Sequence, residues 1–219
     1  MFSFRKSPLI LSVLATVLII SGCLNKRTAT EEMYDVLENV VSAEKVFEEQ
    51  QNPLVSLEKK EKDLYDQIIG LGMKQYDQIV KLSDEAIKIT DERKDRMEKE
   101  TKSIEESKKK FSEVAKIKKD LDNPELSKKA DELYDIMMKR YQTHDDLYKE
   151  YMKGIQSDKA LYEMFKNKNL PLTALEEQVT TLNQIYEKID AANESFNKLT
   201  EQYNTKKLAF YKQAGLKSK

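Results

Sequence analysis

Cys23 is the only cysteine in the 219-residue sequence, and it closes the run Ile20-Ser21-Gly22-Cys23. An aliphatic residue, two small residues and a cysteine form the box at which exported bacterial chains are cleaved and lipidated. The small side chains of Ser21 and Gly22 admit a peptidase to the backbone, and the Cys23 thiolate is the nucleophile that accepts a diacylglyceryl group. The preceding segment agrees. Arg5 and Lys6 make a positive start, residues 9–20 are apolar and uncharged, and no acid appears before Glu31. That layout is a secretory signal, with an apolar stretch too short to span a bilayer. Residues 1–22 are therefore expected to be a signal peptide that is removed, and Cys23 the first mature residue. Two acyl chains matter physically, because one chain holds a protein to a bilayer only marginally.

Other chemistry is sparse. There is no Gly-rich phosphate loop and no Gly-x-Ser-x-Gly elbow. One histidine and a lipidated cysteine leave no zinc set of the usual kind. No metal, no cofactor and no catalytic residue is expected. His144 sits beside Asp145 and Asp146. It reads as a pH-sensitive group or, more simply, as a seam position with its ring hydrogen-bonded. Tyr134, Tyr141, Tyr148 and Tyr162 share one seven-residue line, with Tyr151 beside them. They are the candidate ligand-facing aromatics, since ring faces stack on sugars; the competing reading places them in a helical seam with hydroxyls at the rim. Lysines cluster at residues 108–110, 116–119, 128–129 and 206–207, interleaved with acids. They could meet wall or lipid phosphates, but a solvated helix face accounts for them more simply.

Long helices must position these groups. After a short tether at residues 23–30, Thr30 with Glu31 and Glu32 reads as a helix start. Met33, Leu37, Val40, Val41, Glu44 and Phe47 then recur at three and four, up to a break at Asn52-Pro53. Leu57, Leu64 and Leu71 are seven apart, and Gly70-Leu71-Gly72 reads as a joint, because each glycine costs about 1 kcal/mol inside a helix. Met97, Ile104 and Phe111 carry a narrow seam through a very polar stretch to a break at Asn123-Pro124, a coiled-coil pattern. A fourth helix is expected from Pro124 to Lys166 and a last one from Thr173 to Ala214, with Gly215 as its stop. At 1.5 Å per residue the long helices span roughly 60–75 Å. The fold predicted is all-α: an elongated antiparallel helical bundle or coiled coil of three long helices plus a short N-terminal helical pair. Residues 31–215 would form one domain, followed by a short tail at 216–219.

Composition bounds the function. Five Gly and four Pro are too few for a turn-rich fold. With 38 basic and 39 acidic residues the chain is no general polyanion binder, and nucleic acid is not an expected partner. The excess of lysine over arginine, with frequent Ile and Asn, points to a low-GC bacterium; this bias alone does not settle the cell type, so a Gram-positive cell is the first reading and a Gram-negative lipoprotein the alternative.

The box of residues 20–23, the stretch Ile68-Ile69-Gly70-Leu71-Gly72-Met73, the segment Ile79-Val80-Lys81-Leu82-Ser83-Asp84-Glu85-Ala86 and the helix order together resemble the YkyA-like cell-wall-binding lipoproteins of Bacillus and its relatives. The resemblance implies a lipid-anchored, all-helical protein on the outer face of the cytoplasmic membrane, in contact with peptidoglycan or teichoic acid. It supplies no catalytic motif, and only Cys23 carries over as a functional position. The expected function is that of a non-catalytic surface protein, held to the membrane through diacylglyceryl Cys23, that binds or spaces wall polymer. The alternatives are a helical module for another envelope protein and a cell-wall hydrolase, which would need two carboxylates facing across an open cleft.

Overall fold

The computed structural model describes residues 27–71 and 73–216; residues 1–26, among them Cys23 and its box, and residues 217–219 lie outside them. Among the described residues the fold is an all-α helical bundle without strands. Its helices are α1 (Ala29–Ala43), α2 (Lys45–Gly70), α3 (Tyr76–Phe111), the single turn α4 (Val114–Ile117), α5 (Pro124–Phe165) and α6 (Leu172–Gln213).

Local chemistry sets the boundaries. α1 begins on Thr28, not on Thr30. Thr28 Oγ1 accepts from the Glu31 backbone N–H at 3.2 Å and Glu31 Oε2 accepts from the Thr28 backbone N–H at 2.9 Å, a reciprocal capping box. α5 begins where Asn123 Oδ1 accepts from the N–H groups of Glu125 and Leu126. α6 ends on Gly215, whose φ of 68° lets the Gly215 and Leu216 N–H groups return to the carbonyls of Lys212 and Tyr211. The joint at residues 70–72 is present: Leu71 is extended, with φ −89° and ψ 143°.

Two expected boundaries fall elsewhere. The first break is at Glu44, and Pro53 lies inside α2. An interior proline costs about 3 kcal/mol. Phe47, Leu54, Leu57 and Leu64 are buried on both sides of it, and burial of each such side chain contributes about 1.5–3 kcal/mol, so the helix continues. In the other direction, α3 stops at Phe111, well before Asn123. Ser112 donates its hydroxyl to the Lys109 carbonyl at 2.6 Å, a local bond that competes with the helical ladder.

The helices fall into two compact units. One contains α1, α4 and residues 106–142 and 194–216. Within it Phe111 stacks on Tyr134 at 5.7 Å and meets Tyr141 edge-on, and α1 packs on α4 and the turn that follows. The other contains residues 44–105 and 143–193. Its four segments run antiparallel around two apolar clusters, one built on Leu54, Met97, Leu147 and Ile189, the other on Leu64, Ile68, Ile79, Ala86 and Tyr162. Gly154 keeps α5 and α6 close here: a Cβ on it would stand 3.1 Å from Ile189 Cδ1.

Candidate functional site

Between those two apolar clusters lies a layer of buried charge. Arg93 of α3 is 1 % exposed. Its Nη1 donates to Glu61 Oε2 of α2 at 2.6 Å and to Asp158 Oδ2 of α5 at 2.9 Å. Its Nε donates to the Tyr151 hydroxyl at 3.0 Å and its Nη2 to the Tyr186 hydroxyl at 3.1 Å. Tyr186 donates on to Asp158 Oδ2 at 2.6 Å, and Tyr151 to Glu58 Oε1 at 2.9 Å. Thr90 donates to Glu61 Oε1. Four helices thus meet at one guanidinium, whose carbon also lies 5.0 Å from the Tyr151 ring centroid.

The charges do not balance: one guanidinium faces three carboxyls. Burial disfavours the charged form of Asp158, the Glu61 carboxylate repels it, and Arg93 only partly offsets both; its pKa is pushed up to about 7. Burial also raises Glu58, against the pull of Arg93. The Tyr151 and Tyr186 hydroxyls are held protonated, chiefly by desolvation. Such a layer binds a proton; it does not present a nucleophile to solvent.

A second polar group in the same unit surrounds Glu100, which is 3 % exposed. Gln51 Nε2 donates to its Oε2 at 2.7 Å, and His144 Nε2 lies 3.2 Å from its Oε1. His144 is fully buried and edge-on to Phe47. It occupies the seam position, with its ring hydrogen-bonded.

Of the candidate aromatics, Tyr141, Tyr151 and Tyr162 lie in the core, as the seam reading expects, and are not available for stacking on a sugar. Tyr141, Tyr151 and Tyr162 are 0 %, 5 % and 3 % exposed. Tyr141 is 2.6 Å from Ser107 Oγ through its hydroxyl, and Tyr151 belongs to the Arg93 layer. Tyr134 and Tyr148 are half-buried, the former between Phe111 and the Lys118 ammonium, 4.4 Å from its centroid. A ring face already covered by core atoms cannot stack on a sugar. The lysine clusters are partly neutralised: Lys118 pairs with Asp131, Lys206 with Glu132 and Lys207 with Glu38.

Arg93, Glu61, Asp158 and Glu100 were not singled out by composition or motif. A signal did exist. Arg93, Glu100 and Ser107 are seven apart and interleave with Met97, Ile104 and Phe111 at three and four. Glu61 stands on the line Phe47, Leu54, Glu61, Ile68, and Asp158 on the line Met137, His144, Tyr151, Asp158. A charge on an apolar seven-residue line is the mark of a buried ion.

Among the described residues no group of three or more His, Cys, Asp or Glu could hold a metal ion, and no helix is long and apolar enough to cross a membrane. Fold and buried layers together define an all-helical bundle protein whose polar seams lie inside it. The chain belongs to the YkyA family, described as "Putative cell-wall binding lipoprotein", whose model matches residues 28–213. It is 34% identical over 205 residues to the uncharacterized lipoprotein YkyA of Bacillus subtilis strain 168, covering 94% of this chain and 92% of that one. Its fold is that of a conserved Staphylococcus aureus protein of unknown function whose crystal structure matches with a TM-score of 0.72 at 21% identity, over 85% of this chain and 97% of the other. Neither the family description nor these relatives' names indicate catalysis.

Proposed function

We propose that this protein is a non-catalytic surface lipoprotein, anchored through diacylglyceryl-Cys23 to the outer face of the cytoplasmic membrane of a Gram-positive cell, whose helical domain binds or spaces wall polymer. The observation that carries the reading is the single cysteine at the end of Ile20-Ser21-Gly22-Cys23, with the family match beginning five residues later at residue 28. The family description supports wall contact. Against a hydrolase stands the state of the facing pair Glu61 and Asp158: they are buried side chains bridged by a guanidinium, whereas glycoside hydrolysis needs its carboxylates across an open cleft.

Growing cells with a clickable fatty acid tests the anchor. Wild-type protein should carry label and partition with membranes, and Cys23→Ala should carry none; label that survives in Cys23→Ala, or an intact unacylated N-terminus on wild type, refutes the anchor. Retention on purified peptidoglycan and teichoic acid, measured against an unrelated helical bundle of equal charge, tests the wall contact, which falls if retention does not exceed that control.

A further inference from the structure

We propose that the opening stretch of α6, residues 172–186, is a strap: it unwinds and comes away as one unit from α2, α3 and α5 while those three helices stay folded, and Tyr186 is its latch. The core beneath is built without it. The apolar cluster of Leu64, Ile68, Ile79, Leu82, Ala86 and Tyr162, with its partly buried neighbours, draws only on residues that precede α6. α5 buries a residue in every turn from His144 to Tyr162. Across residues 172–186 of α6 only Leu182 is buried. Leu175, Val179 and Ile185 are half-buried, and Leu172 is 69 % exposed. α6 gains its next buried anchor at Ile189, which joins the cluster of Leu54, Met97 and Leu147.

The helix itself is weak there. Val179, Thr180 and Thr181 are β-branched residues in a row, each a poorer helix former than alanine. The Thr180 and Thr181 hydroxyls donate back to the Glu176 and Glu177 carbonyls at 2.8 Å and 3.0 Å, bonds that slightly destabilise and bend a helix. Two polar side chains fasten the strap. Gln178 Nε2 donates to the carbonyl and to the hydroxyl of Ser157, both at 2.9 Å. The Tyr186 hydroxyl stands between charges, accepting from Arg93 Nη2 and donating to Asp158 Oδ2. A segment with few buried apolar contacts and much exposed backbone belongs to the low end of local opening free energies. When the strap comes away, Arg93 and Asp158 lose the Tyr186 hydroxyl and water reaches the ionic layer from the α6 side, while Glu61 and Tyr151 still hold the guanidinium.

Amide hydrogen exchange of the full-length protein, read by NMR at rising sub-denaturing urea, tests the strap. Amides of residues 176–186 should exchange through an opening at least about a hundredfold more frequent than the one that exposes residues 82–97 of α3. They should share one urea dependence, shallower than that of α3. Ile79→Val, in the cluster that α6 does not enter, should speed α3 exchange several-fold and leave the strap unchanged, because strap opening does not disturb that cluster. Tyr186→Phe should speed strap exchange roughly tenfold or more, the worth of a hydrogen bond to a charged partner. Thr180→Ala with Thr181→Ala, both at exposed positions, should slow it roughly five- to tenfold through helix propensity. One common opening for strap and α3 overturns the proposal, as does an equal response of both to Ile79→Val. Protection that climbs residue by residue from Leu172 overturns it too, since that is fraying and not a unit. Strap exchange unmoved by Tyr186→Phe removes the latch.

Discussion

Asp158 should make this protein lose stability as pH rises through neutrality, and Asp158→Asn should remove that loss. The carboxyl faces Glu61, Arg93, Tyr162 and Tyr186, and Arg93 links it to Tyr151, behind which lies Glu58. Its pKa of about 7 in the folded state compares with the ordinary 3.8. Between those values the folded protein holds a proton that the unfolded chain has released, so stability is highest in acid and declines as pH rises. Integrating that difference between pH 5 and pH 8 gives a loss of about 3 kcal/mol from this one group. A domain has about 5–15 kcal/mol in total, so the change is large: about 1 M in urea midpoint for a slope of about 2–3 kcal/mol per M. Other groups pull the opposite way. Glu31 and Glu132, lowered by their bonds to Thr28 and Lys206, contribute stability that is lost as pH falls. The comparison that isolates Asp158 is therefore wild type against Asp158→Asn at each pH, by urea denaturation followed with far-UV circular dichroism. The variant should gain on wild type by about 3 kcal/mol between pH 5 and pH 8. A difference that stays flat, or a wild type that gains on the variant, would mean that Arg93 fully compensates both carboxylates and that the charge imbalance is not real.

Two further outcomes test the packing. Gly154→Ala should change stability by less than about 1 kcal/mol, because the helix-propensity gain of about 1 kcal/mol offsets the shift forced on Ile189 at 3.1 Å; Gly154→Leu should cost about 1–3 kcal/mol through overpacking, both read from thermal midpoints. Replacing the ionic layer whole, by Glu61→Leu, Arg93→Met, Asp158→Leu and Tyr186→Phe together, should leave the protein at least as stable in urea while broadening its amide NMR spectrum; a large loss of stability with sharp resonances would contradict the view that the layer supplies specificity more than stability.

The outer limits of α5 and α6 were legible to within about two residues because their starts carry strong local chemistry: Asn123-Pro124 caps one, and Pro171 precedes the other. Where local and tertiary preferences conflict, the sequence was less transparent. Pro53 argues for a break, yet the apolar line through Phe47, Leu54 and Leu64 overrides it. Ser112 looks unremarkable, yet its hydroxyl takes a carbonyl that a longer α3 would need. Thr28 and Glu31 carry the capping-box spacing, and the nearer Thr30 drew the helix start two residues late.

The tyrosines and the ionic layer went unresolved for one shared reason. A seven-residue spacing says that side chains face a common neighbour; it does not say whether that neighbour is a helix or a ligand. Contacts across the four helices of the unit decide it. Arg93 meets Glu61 and Asp158 only in the register observed. A slide of one heptad along α2 would set it against Leu54 or Ile68, and along α5 a slide would remove Asp158 and leave Tyr151 or a residue seven further on. An arginine left buried without its carboxylates costs about 3–5 kcal/mol, comparable to the whole stability of a marginal domain. The apolar stripes, rich in interchangeable Leu and Ile, would tolerate such slides with far smaller penalties. The charged layer is what distinguishes the native alignment from its neighbours, and that role accounts for Glu61 and Asp158 being buried against a guanidinium.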